Sequence, residues 1–102
     1  MKNILLAATI LASTSLMGAE DKYQCKFYTD MGDLQTEAAA EALKDYDYIS
    51  AEEHLIFAKQ NYFQNAYHCK GREKKLERVN RALSNKSFKM IVARQKFIKA
   101  SR

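Results

Sequence analysis

Cys25 and Cys69 are the only cysteines, 44 residues apart, and both follow a short apolar run behind a lysine. That run decides what the cysteines can become. Lys2 supplies a positive N-terminal region, Ile4 to Ala12 an apolar stretch, and Met17-Gly18-Ala19 a small-residue cleavage site. This three-part layout reads as a signal peptide over residues 1–19. A membrane-spanning helix needs about 20 apolar residues, and Ser13, Thr14 and Ser15 interrupt this run too early. No later segment has the length and apolarity to span. Residues 20–102 are therefore expected to form one small mature domain without a transmembrane segment. The lysine- and asparagine-bearing leader looks bacterial, which favours the periplasm, with secretion as the alternative. Export delivers the thiols to an oxidising space, so a Cys25–Cys69 disulfide is expected.

The chain has no proline, and past the leader its only glycines are Gly32 and Gly71. Hairpin and β-turns draw on glycine, proline and Asn-Gly pairs. Alanine, lysine, glutamate, glutamine and leucine, all good helix formers, fill the chain instead. The expected fold is all-α: a disulfide-pinned antiparallel helical hairpin plus a C-terminal helix. A domain this small buries only about 60–65% of its unfolded surface and needs a staple.

Helical spacing assigns the elements. A first helix, residues 22–46, carries Cys25, Tyr28, Met31, Ala38, Ala39, Ala42 and Tyr46 on one face, with Gln35 interrupting the pattern and Gly32 beside it. Residues 47–49 read as the turn. Ser50 then opens a capping box with Glu53. The second helix places Ala51, Leu55, Ala58, Tyr62, Ala66, Cys69, Leu76, Val79 and Leu83 on one face. Ile56, Phe63 and Tyr67 widen that face, so coverage from two sides is expected. The stripe keeps phase across Gly71, which favours a continuous or merely bent helix. Asn85 or Ser87 caps a third helix with Phe88, Ile91, Val92, Gln95 and Ile98 on one face. Residues 25 and 69 lie equally far from the turn, so an antiparallel hairpin brings the cysteines together.

Little of this points to catalysis. His54 and His68 lie fourteen residues apart; on one helix that is about 21 Å, too far to share an ion. There is no Cys-x-x-Cys-His or His-Glu-x-x-His motif, no Gly-x-Ser-x-Gly and no glycine-rich phosphate loop. Glu52 and Glu53 suit a helix first turn, and Ser50 and Ser87 read as caps. The chain is read as a non-enzyme without a cofactor or metal.

Charge supplies the functional lead. Residues 20–69 hold ten acidic and four basic side chains, and residues 70–102 two acidic and twelve basic ones. The candidate contact residues for an anionic partner are Lys70, Arg72, Lys74, Lys75, Arg78, Arg81, Lys86 and Lys89. Such a run suits an anionic envelope component or an acidic protein; nucleic acid is the least favoured partner in that compartment. The competing expectation is that the basic half folds onto the acidic half and its charges are neutralised internally. The leading reading is a small exported binding or accessory protein. The alternatives are a metal or redox accessory protein using Cys25, Cys69 and His68, and a small enzyme inhibitor.

Overall fold

A computed structural model describes residues 22–66 and 68–102 with their side chains; the expected signal peptide lies outside these residues, as does Tyr67. The fold is all-α. Its helices are α1 (Lys2–Lys44), α2 (Tyr48–Gln64), α3 (Arg72–Ser84) and α4 (Lys86–Ala100). No strand occurs among the described residues.

The turn between α1 and α2 comes earlier than expected. Helix α1 stops at Lys44 because Tyr46 takes a left-handed conformation, φ 56°. The Tyr46 amide then bonds the Leu43 carbonyl at 3.1 Å and the Asp47 amide reaches back to Ala42 at 2.8 Å. Together these form a Schellman ending, with tyrosine where glycine is usual. The N-cap of α2 is Asp47, not Ser50: the Asp47 carboxylate accepts from the Ser50 amide at 3.2 Å. Tyr48 and Ile49 are therefore helical. A neighbouring orphan amide, that of Tyr48, donates to Gln95 Oε1 of α4 at 3.1 Å, and Gln95 Nε2 donates to the Tyr46 carbonyl at 2.9 Å. One side chain of the last helix thus clamps the hairpin turn.

The second helix, expected to be continuous or merely bent, is two helices. Asn65 leaves α2 with an extended backbone, ψ 146°. Gly71 precedes α3 at φ 80°, a conformation that side-chain-bearing residues rarely adopt. Asn65, Ala66 and residues 68–71 lie in the connection, and Cys69 there bonds Cys25 with a Cα–Cα distance of 5.6 Å. In the chain-entropy model, closing a loop of this length contributes about 4 kcal/mol. Between α3 and α4 a single residue suffices. Asn85 donates its amide to the Ala82 carbonyl and accepts from the Phe88 amide through its side chain.

Helix α2 is the centre of the packing, touching α1 along one side and α3 and α4 along the other. Ala39, Leu55, Ala58, Tyr62 and Val79 form the buried cluster, with Leu76, Ala82, Leu83 and Phe88 packed around it. Ala39, Ala51 and Ala58 are almost fully buried, and side chains this short let helix axes approach closely. The expected stripe residues that line this core are there. Others are not: Tyr46 is 73% exposed in the turn, and Ile56, Phe63, Ile91 and Ile98 are exposed as well. The second face of α2 and the outer part of the α4 arc have no covering element among the described residues.

Candidate functional site

Three features are candidates for function: a polar cluster between helices, the surroundings of the disulfide, and the basic surface of α3 and α4.

The polar cluster joins α1, α2 and α3. Gly32 on α1 lets the Tyr62 ring of α2 lie against the helix backbone, since a Cβ there would collide with that ring. The ring placed so, Tyr62 Oη donates to Asp33 Oδ1 at 2.5 Å and lies 3.3 Å from Thr36 Oγ1. Lys75 Nζ of α3 donates to the same carboxylate oxygen at 2.6 Å and stands 5.6 Å over the Tyr62 ring. Burial and the Asp33 bond push the Tyr62 hydroxyl up to about 12, against a smaller opposing effect of Thr36. Burial also works to raise the Asp33 carboxyl, but hydrogen bonds from Lys75 and Tyr62 and the charges of Lys75 and Arg78 outweigh it. Its pKa lies below the usual value. Near neutral pH the tyrosine holds its proton and the aspartate holds its charge. Neither is poised for proton transfer, which works best with a pKa near the operating pH. The cluster is a polar tie that joins three helices. Sequence reasoning noted this stretch only as an interruption of the apolar face at Gln35, beside Gly32. The available signal was a tyrosine, which carries a polar tip, opposite that interruption.

Near the disulfide, Lys22, Lys26, Asp30, His68 and Lys70 rim an open depression of about 570 Å³. Both cysteine sulfurs are bonded to each other, so in this state they present no thiolate, the form that ligates a metal. Among the described residues no three His, Cys, Asp or Glu side chains converge. His54, half-buried, donates through Nδ1 to Gln35 Oε1 of α1 at 2.7 Å, a second tie across the hairpin.

The eight basic candidates divide into two sets. Three have internal partners. Lys75 is held by Asp33. Arg81 pairs with Glu77 one turn earlier at 2.5 Å. Arg72 lies 5.4 Å over the Phe63 ring and donates to the Phe63 carbonyl at 3.3 Å. The other five, Lys70, Lys74, Arg78, Lys86 and Lys89, are exposed. Lys74, Arg78 and Arg81 recur at i, i+4 and i+7, so they share one outward face of α3. Outside the eight, Lys96 of α4 pairs with Glu52 of α2 at 2.8 Å. The basic half therefore does fold onto the acidic half, and among the described residues Lys75–Asp33 and Lys96–Glu52 are ion pairs between them. This neutralises a minority of the positive charge. The sequence of α4, Lys86–Ala100, contains no acidic residue at all.

No helix among the described residues is long and apolar enough to cross a membrane. No family model, curated protein or solved structure matches this chain.

Proposed function

We propose that the chain is an exported, non-catalytic binding or accessory protein of the periplasm that presents the outer surface of α3 and α4 to an anionic partner. One observation carries this reading. After the internal ion pairs are formed, Lys70, Lys74, Lys86 and Lys89 remain exposed and outside any ion pair among the described residues. Lys74 stands on α3, which holds two acids, Lys86 and Lys89 on α4, which holds none, and Lys70 in the connection just before α3. The disulfide is consistent with an oxidising compartment, and the leader-like N-terminus supplies the route.

Replacing Lys74, Lys86 and Lys89 together with glutamine is expected to weaken retention on an anionic matrix while helix content and melting temperature stay unchanged. Retention of the parent protein should also fall with salt, because exposed charges are screened within about 8 Å at physiological ionic strength. Equal retention of both proteins would overturn the reading. The export step has its own check: N-terminal sequencing of periplasmic material should begin near Glu20, and an intact Met1 there would remove it.

A further inference from the structure

Helix α4 carries more apolar surface than its inner face buries, and the outer part of that surface is uncovered. Phe88, Val92 and Gln95 turn inward, with Val92 buried and Gln95 bonded to the hairpin turn. On the far side Met90 and Phe97 stand seven residues apart, and so do Ile91 and Ile98 on the adjoining flank. Residues at this spacing line up along a helix face. Their exposures are 66% and 73% for Met90 and Phe97, and 37% and 47% for the isoleucines. Arg94 lies within this apolar strip and lines a shallow hollow with Ser87, Met90 and Ile91. Lys86 and Lys89 border it.

Charge narrows what can cover such a strip. A symmetric pairing through α4 would bring two acid-free cationic helices face to face, and like charges in contact repel. An occupant must be both apolar and anionic. The lysines that border the strip are long enough to reach outward past its apolar side chains. This is the layout of helices that lie in a membrane interface: the apolar edge enters the acyl boundary and the cations meet the headgroups.

Resting on the reading of an anionic partner, we infer that the partner is the surface of an anionic phospholipid bilayer, against which α4 lies flat with Met90, Ile91, Phe97 and Ile98 inserted. Lys86, Lys89 and Arg94 contact the lipid phosphates.

The test is co-sedimentation of the full chain with vesicles of phosphatidylcholine and phosphatidylglycerol in equal parts, and with phosphatidylcholine alone. A parallel measurement on a heparin column reports charge without lipid. The parent protein should bind the mixed vesicles and leave the neutral ones. The double variant Met90→Ser with Phe97→Ser changes two exposed side chains and should keep the fold. It should bind mixed vesicles roughly a hundredfold more weakly, since each inserted apolar side chain is worth about a factor of ten, while its heparin retention stays at the parent level. Several outcomes overturn the inference. If the double variant binds mixed vesicles as well as the parent does, nothing is inserted. If the parent is retained on heparin but ignores vesicles, the bilayer is wrong while the anionic-partner reading survives. If the parent ignores both, both readings fall. A parent dimer that the double variant dissolves would make the occupant a second copy.

Discussion

The ring of Tyr62 occupies the space that a side chain at residue 32 would need. This relationship sets a sign test. In an exposed helix, glycine to alanine gains about 1 kcal/mol from helix propensity. At residue 32 the added methyl group meets the ring, and overpacking of this kind costs about 1–3 kcal/mol. Gly32→Ala is expected to lower the melting temperature by several degrees in a thermal unfolding experiment. A rise would mean that Tyr62 does not pack there.

The same cluster controls behaviour at both ends of the pH scale. The Tyr62 pKa is raised in the folded state, so its contribution to stability is complete below 10 and is lost as the pH climbs through about 12. In a spectrophotometric titration of the six tyrosines, one should ionise late, and Tyr62→Phe should abolish that late phase. Asp33 behaves in the opposite sense. Its folded pKa is depressed, so its contribution is present above 3.8 and is lost as the pH falls through the lower folded value. Asp33→Asn should flatten the acid limb of the stability profile, and an unchanged limb would show that Lys75 and Tyr62 do not stabilise the carboxylate.

Tyr46 holds a left-handed conformation at φ 56° with most of its side chain in water. That conformation costs a non-glycine residue about 1–2 kcal/mol. Tyr46→Gly removes this cost and keeps the carbonyl that Gln95 uses, at some loss from the greater freedom of the unfolded chain. A net gain of about 0.5–1 kcal/mol is expected, read as a higher urea midpoint at unchanged slope.

Gln95→Leu keeps the bulk of the side chain and deletes both of its bonds to the turn. At about 0.5–1.5 kcal/mol for each hydrogen bond, the loss should amount to about 1–3 kcal/mol. Hydrogen exchange at the Tyr48 amide should accelerate beyond that of the α2 interior. Unchanged protection would show that α4 does not hold the turn.

The limits of sequence legibility follow from these contacts. The apolar spacing that selects Leu55, Ala58, Tyr62, Val79 and Val92 is local, and those residues are buried. The cysteine pairing followed from symmetry about the turn. Ser50 and Asp47 are equally good caps on local grounds. What separates them is Gln95, 47 residues beyond Tyr48, which takes the Tyr48 amide. The stripe ran in phase through Ala66 and Cys69 although the helix breaks there, because Cys69 is in that stretch to form a bond. Ile91 and Ile98 looked buried since periodicity reports an apolar arc, and packing alone decides how much of it is covered. The Asp33 cluster needs three helices and leaves no spacing to read.

The disulfide also fixes the covalent topology. It closes a ring from Cys25 through α2 to Cys69 and leaves α3 and α4 outside as an arm attached at one end. A single cut anywhere inside the ring keeps the molecule in one piece. A cut at exposed Gly71, flanked by Lys70 and Arg72, severs an arm that takes nearly all of the surplus positive charge with it. What remains is an acidic closed loop. One peptide bond therefore separates a stapled anionic scaffold from a cationic tail, and a protease that reaches it would convert one basic protein into two fragments of opposite sign.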